Sequence, residues 1–305
     1  MPTAAQWHKP SVKILVIGSN GQLGRSLLTS LARPYPGTTF WDRQALDLTQ
    51  LGSIRARLEN LGPQVIINAS AYTAVDQAEQ ETELALAINR DAVGEIASYC
   101  ADVDAVLIHV STDYVFDGAA NAPYVETADT NPQGVYGASK LAGEQAIAAS
   151  ACRHLIIRTA WVFSPYGQNF LKTMLRLGGE RDTLSVVADQ IGSPTFAGDL
   201  AEAIVATLKP VREGNCAWGL YHYAGDASVS WHEFACEIFA QAQHMGLSVP
   251  DTVNAISTSE YPTTAPRPAW SVLDSSKFTG IFGQPSSDWR VGIATCLQVL
   301  GQLSE

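Results

Sequence analysis

Val12-Lys-Ile-Leu-Val-Ile-Gly18-Ser-Asn-Gly21-Gln-Leu-Gly24 decides the fold. Val12 to Ile17 is a compact β-branched block that reads as a buried strand, and Gln22 to Leu31 has the pattern of a helix. Between them stands G-x-x-G-x-x-G. Glycine suits such a turn because a side chain would either forbid the tight backbone or hold a phosphate away. The first N–H groups of the helix, with Gly18, Asn20, Gly21, Gln22, Leu23 and Gly24 around them, can then meet a pyrophosphate. Strand, glycine turn and helix in this order are the first unit of a dinucleotide-binding α/β fold.

Working outward, further buried strands are expected at Thr39 to Trp41, Val65 to Asn68, Ala105 to Val110 and His154 to Thr159, with helices between most of them. Such alternation implies parallel strands joined by right-handed crossovers, hence a doubly wound, Rossmann-type sheet. One helix is expected from about Glu81 to Tyr99, where Leu84, Ile88, Ala92, Glu95 and Ile96 share a largely apolar stripe. After Phe163 the rhythm loosens, and Gly178-Gly179, Pro194, Pro210, Gly214 and the Pro262 to Pro268 cluster read as loops of a smaller, discontinuous lobe. The expected division is a dinucleotide-binding domain over 11–165, with 183–208 and about 252–258 returning to it, and a mostly substrate-binding lobe over 166–305.

With 305 residues, 46% of them apolar, the chain can bury a full core. A formal charge of -11 works against broad contact with nucleic acid or an anionic membrane, both of which need a positive field. Five scattered cysteines without C-x-x-C spacing argue against a disulfide framework or a zinc site, and no histidine lies in a ligand spacing. There is neither an apolar run in the first dozen residues nor a stretch of eighteen apolar residues anywhere, so a soluble cytoplasmic chain is expected.

Asp42 ends the second strand eighteen residues beyond Gly24, where a carboxylate would bind the ribose hydroxyls of NAD. Arg43 follows at once and could pair with the 2′-phosphate of NADP. Use of both cofactors is expected, NADPH favoured, with Asp42 turning toward solvent or toward Arg43. Asp47 and Leu48, and the small residues Ala69, Ser70 and Ala71 after the third strand, are placed to line the adenine and the cofactor bridge. Tyr136 and Lys140, four apart on a helix, project from one face, and an ammonium there would favour phenolate. Ser111-Thr112-Asp113 ends the fourth strand and opens onto the same crevice; Thr112 would bond the substrate oxygen that Tyr136 protonates.

The glycine turn, Ser111-Thr112-Asp113 and Tyr136-x-x-x-Lys140, in this order, resemble the extended short-chain dehydrogenase/reductases. Within them, Gly21-Gln22-Leu23-Gly24, Tyr72-Thr-Ala-Val-Asp76, Ser111-Thr-Asp-Tyr-Val-Phe-Asp-Gly118 and Arg158-Thr-Ala-Trp-Val-Phe163 are similar to the dTDP-4-dehydrorhamnose reductase family. The likeness continues through Asn169-Phe170, Asp189-Gln-Ile-Gly-Ser-Pro-Thr195, Gly219-Leu-Tyr-His222 and Arg267-Pro268. The resemblance implies NAD(P)H-dependent reduction of the C4 ketone of dTDP-4-dehydro-L-rhamnose, with Thr112, Tyr136 and Lys140 catalytic. It also implies sugar contacts from Asp113, Tyr114, Trp161 and Asn169, with Arg267, or less directly Lys172, on the diphosphate. Some relatives hold magnesium between subunits through glutamates, whose places here fall on Ser26 or a neighbour, Gly198 and Arg290. No metal is therefore expected, and the chain should be a monomer or weak homodimer. The alternatives are a sugar-nucleotide epimerase or dehydratase of the same fold, or a non-catalytic NADP-binding regulatory subunit.

Overall fold

Leu15 and Ile17 pack on one side of the first strand, Ile14 and Val16 on the other, and both sides are buried. Such two-sided burial marks a central strand of a parallel sheet. The computed structural model describes residues 12–302, so the reading of the first dozen residues and the outer ends of both domain ranges fall outside the described residues, save Val12. The first half runs β1 (Ile14–Ile17), α1 (Gln22–Ala32), β2 (Thr39–Trp41), α2 (Leu51–Leu61), β3 (Val65–Asn68), α3 (Ala92–Val103), β4 (Val106–Thr112), α4 (Val135–Ala149) and β5 (Arg153–Thr159). Then follow α5 (Phe170–Glu180), β6 (Thr183–Val187), α6 (Ala197–Glu213), β7 (Gly219–His222), α7 (Trp231–His244), β8 (Thr252–Ile256) and α8 (Trp289–Gln302).

Among the described residues six strands form one parallel sheet in the order β7-β5-β4-β3-β1-β2. From β1 the chain travels outward to β2, then crosses back to β3 on the other side of β1. That reversal opens a crevice at the carboxyl ends of β1 and β3, where sheets of this kind bind ligands. One face of the sheet is covered by α1 and α6, with Leu27 and Leu31 against Leu200, Ile204 and Leu208. Opposite lie α2 and α3, through Ile54, Leu58, Ile96 and Cys100.

The segments expected to return to the dinucleotide-binding domain lie differently with respect to its sheet. β6 and β8 pair with each other as a separate parallel ribbon, and Leu184 and Val186 pack with Phe234, Ile238, Trp289 and Ile293 instead. Thr183 and Ser185 are exposed, so β6 has one apolar face and suits a ribbon lying on helices, not a sheet interior. It is α6 that returns to the sheet, together with β7 beyond β5. Two of the loop signals also fall inside helices: Gly178-Gly179 in α5, where Gly178 abuts Phe239, and Pro210 in the last turn of α6.

The helix expected over 81–99 is broken by a π-turn at Ala87–Asp91. Within it Asn89 turns its side chain inward to accept from Tyr72 N at 2.9 Å and donate to Tyr72 O at 3.1 Å and Ser139 Oγ at 2.9 Å. A π-turn of this type commonly marks a functional site. Among the described residues, no helix is long and apolar enough to cross a membrane.

Candidate active site

A cavity of about 890 Å³ lies over the carboxyl ends of β1, β3, β4 and β5. That is ample for a dinucleotide or sugar nucleotide. Its floor begins at Gly18, held at φ +91°, where a Cβ would meet Ser70 N at 2.8 Å; only glycine lets the two strand ends approach so closely. No side chain caps the N-terminus of α1 and no acidic residue occupies its first turn, which leaves its leading N–H groups suited to an anion. Asn20, Gly21, Gln22 and Leu23 line this end, and Ala69, Ser70 and Ala71 line the adjoining wall. Gln22 also ties α1 to the next segment, accepting from Asn169 Nδ2 at 2.8 Å and Ser164 Oγ at 3.0 Å.

At the far end stand Asp42, Arg43, Asp47 and Leu48. Of the two orientations expected for Asp42, toward solvent or toward Arg43, it does not take the second. Its carboxylate accepts from Gln44 N, Ala45 N and Asn20 Nδ2 at 2.9–3.0 Å, and these donors, the Ala45 N–H foremost, hold it below the usual carboxylate range. Arg43 is 79% exposed and reaches Asp47 at 4.0 Å. The Thr49 N–H and hydroxyl likewise lower Asp47.

The centre of the cavity joins β4 to α4. Gly137 presses against the carbonyl of Tyr114, where a Cβ would stand 2.1 Å from the oxygen, and this contact brings Tyr136 edge-on to the Tyr114 ring. Tyr136 is hydrogen-bonded to Thr112, and burial pushes its phenol up to about 12. The Thr112 hydroxyl pulls the other way, favouring the phenolate. Thr112 in turn donates to Asp113 Oδ1 at 2.9 Å and accepts from Tyr114 N at 3.2 Å. Burial raises the Asp113 carboxyl to about 6, against the pull of Thr112 and Ser271. Ser111 Oγ, Asp113 Oδ2 and Thr159 Oγ1, all on residues that line the cavity, have no hydrogen-bond partner among the described residues. The wall thus retains polar capacity for a guest.

Lys140 lines the same cavity, yet its amine points at the strand behind. It donates to Val110 O at 2.7 Å and stands 3.1 Å from His109 Nε2. Burial lowers it to about 8, with Glu144 pulling the other way. Glu144 itself is held by Arg158 in a buried two-point ion pair at 2.6 and 2.9 Å.

The opposite rim comes from Trp161, Val162, Gly167, Gln168 and Trp231. Trp161, expected among the sugar contacts, is stacked on Trp231, centroids 3.4 Å apart, with Gly192 against it. Its backbone sits at φ +48°, a strained setting for a non-glycine residue. Asn169 is not brought to the cavity: it caps α5, accepting from Lys172 N at 3.1 Å, and its amide binds Gln22, Ser164 and Tyr166. Nor is Arg267, which is tied to Asp76 at 2.6 Å, or Lys172 or Gly24. Trp231 and Gln168 join the wall without having been singled out in the sequence, and Thr159 and the Tyr72–Val75 stretch, noted only within family motifs, join it without having been given a site role. Beside Trp231 the sequence carries the S-x-x-E capping box Ser230–Glu233, which fixes a helix start and says nothing of a cavity.

Over residues 12–302 the chain matches the model of the RmlD substrate binding domain. This chain belongs to that family, the dTDP-4-dehydrorhamnose reductases. A dTDP-4-dehydrorhamnose reductase of Aggregatibacter actinomycetemcomitans is 43% identical over 282 residues, 91% of this chain and 96% of the relative. The crystal structure of a dTDP-4-dehydrorhamnose reductase from Clostridium acetobutylicum superposes with a TM-score of 0.87 at 37% identity, covering 95% of this chain and all of the other. A Bacillus anthracis dTDP-4-dehydrorhamnose reductase, solved in complex with NADP, gives 0.84 at 37% identity over 93% of this chain and 97% of that one. The family match therefore spans both the sheet and the second half of the chain.

Proposed function

We propose that this chain reduces the C4 ketone of dTDP-4-dehydro-L-rhamnose to dTDP-L-rhamnose, using NADPH by preference and NADH as well. The observation that carries this reading is that Thr112, Tyr136 and Lys140 meet in one cavity with an uncapped helix N-terminus behind a glycine turn. When bound, the nicotinamide cofactor supplies the hydride. Gly18 to Leu23 hold its pyrophosphate, Ala69 to Ala71 let it lie close to the backbone, and Asp42, Arg43, Asp47 and Leu48 receive the adenosine end.

Tyr136 is the general acid. Held protonated by burial, it can hand its hydroxyl proton to the C4 oxygen as negative charge develops there. Thr112 orients that oxygen, which requires its hydroxyl to be shared between Asp113 and the substrate. Lys140 stabilises the phenolate left on Tyr136 and holds the cofactor ribose, and Asp113, Tyr114 and Trp161 contact the sugar. Asn169 and Arg267 act from behind this wall, by fixing Gln22 and Asp76.

The proposed division of labour gives residues 11–165, with α6 and β7, to the cofactor, and most of 166–305 to the sugar nucleotide. We place the reaction in the cytoplasm, with the chain acting as a monomer or weak homodimer and without a bridging metal; Arg290 puts a cation beside Glu237 where some relatives carry a carboxylate. The test is an absorbance assay with dTDP-4-dehydrorhamnose generated in place and each cofactor in turn. Stoichiometric oxidation of the cofactor is expected; turnover of the sugar without net oxidation would indicate an epimerase or dehydratase and overturn the reading.

A further inference from the structure

Behind Lys140 lies a fully buried polar chain that the proposed mechanism does not use. Asn68 and His109 are direct register partners on β3 and β4. The amide of Asn68 has one allowed orientation, because its Oδ1 accepts the Ser70 backbone N–H at 3.2 Å as well as the Ser70 hydroxyl. Its Nδ2 therefore donates to His109 Nδ1, 3.1 Å away. A neutral imidazole that accepts at Nδ1 must carry its proton on Nε2. Burial and the neighbouring Lys140 keep His109 neutral, well below the usual histidine range. The Nε2–H then points at Lys140 Nζ across 3.1 Å. An ammonium has three donors and no acceptor, so the charged form faces donor to donor, whereas the neutral amine accepts from Nε2–H and still donates to Val110 O.

We propose that Asn68 and His109 are positioning residues that fix the Nε2–H tautomer and thereby oppose the charged form of Lys140, making it an exchangeable proton site instead of a permanent cation. The titratable and charged groups around it are Tyr136 and Glu144 on its own helix, His109 on β4, Asp113 just beyond β4, and Arg158 on β5, engaged with Glu144. Glu144 favours the ammonium and burial opposes it, and the imidazole donor 3.1 Å away sides with burial. The inference deepens the reductase reading by assigning regulation to its lysine, and it rests on that reading only for its kinetic consequence.

The test uses the full chain labelled with ¹⁵N-histidine and ¹³C-lysine. In the wild type, His109, assigned by loss of its signals in His109→Gln, should show the Nε2–H tautomer throughout pH 5–9, and Lys140 Cε should titrate well below the other lysines. In Asn68→Asp, a carboxylate takes the Nδ1–H, Nε2 becomes an acceptor, and the Lys140 midpoint should rise by about one pH unit, a tenfold change in its acid constant. His109→Gln, whose amide can turn its oxygen to Lys140, should raise it too if the aspartate variant does not fold. The alkaline fall of kcat should move up with it, since Lys140 loses its charge as pH rises. An Nδ1–H tautomer in the wild type, or a Lys140 midpoint unmoved in both variants, overturns the proposal. Both nuclei report without turnover, so absence of reductase activity with the expected shifts would reject the function and leave the tautomer device standing.

Discussion

On the sheet side of the cavity the wall is built at the ends of parallel strands, Gly18 after β1, Ala69 to Ala71 after β3 and Ser111 to Asp113 at the end of β4, with Tyr136 and Lys140 brought against it on α4. On the lobe side the wall is assembled from separate stretches, around Trp161, around Gly167 and at the start of α7, held by an indole stack and by the Gln22–Ser164–Asn169 cluster. The first wall is positioned by backbone hydrogen bonding and strand register, which leave little freedom. The second depends on side-chain packing between elements remote in sequence, including a tryptophan at positive φ. Chemistry that tolerates no displacement belongs on the first wall, and adjustable recognition of the sugar on the second.

Tyr136→Phe breaks the comparison most sharply. It removes one transferable proton and little volume, so kcat should fall by roughly 10² to 10⁴-fold while the cofactor dissociation constant stays nearly constant. Near wild-type turnover would show that the sheet-side wall does not hold the acid. Asp113→Asn probes the same wall through stability. Burial raises the folded-state carboxyl from 3.8 to about 6, so protonated Asp113 is favoured in the fold and its ionisation penalises the fold as pH climbs through that interval. The neutral amide escapes the penalty: the variant should match the wild type below pH 4 and exceed it above pH 6, by up to roughly 3 kcal/mol. Denaturant melts at pH 4 and 7.5 measure this, and an equal difference at both would deny that Asp113 titrates inside the fold.

The contrast between the walls also explains what could be read in advance. Strands such as Val65-Ile-Ile-Asn68 are short apolar runs with unmistakable ends, and whatever follows such an end must face the crevice. The limits of the expected strands came within two residues, and Gly18, Asp42, Thr112, Tyr136 and Lys140 all line one cavity. Periodicity could not see that Asn89 would turn inward within a π-turn, nor that Asn169 and Arg267 would find partners in Gln22 and Asp76 before any ligand. These outcomes depend on tertiary neighbours, and a motif match carries no record of them. His109 was hidden for a related reason: inside a buried strand it looks like any core position, and its meaning arises only from its register with Asn68.

Trp231→Ala sharpens the view of the adjustable wall. Loss of the indole stack frees Trp161 and widens the sugar side, so KM for the sugar nucleotide should rise on the order of 10-fold while kcat and cofactor affinity change much less. A fall confined to kcat would mean instead that the stack positions the reacting groups.

The smallest expected effect returns to the sheet side, at its outer edge. Asp42 is pinned by Asn20, Gln44 and Ala45 and stays ionised, so it cannot swing aside to spare a 2′-phosphate. Whatever favours NADPH must therefore come from a cation that moves, and Arg43, exposed and only loosely engaged with Asp47, lines the cavity next to it. Pairing with a phosphate is stronger than this exposed contact with a carboxylate, so Arg43 can leave Asp47 when the phosphate arrives. Removing it leaves the fixed charge of Asp42 uncompensated, a loss that falls on NADPH and spares NADH, whose ribose hydroxyls need only Asp42. Arg43→Ala should lower kcat/KM for NADPH relative to NADH by about 10-fold, or about 1.4 kcal/mol. Equal losses with the two cofactors would make Arg43 a solvated surface charge and remove the basis for an NADPH preference in this chain.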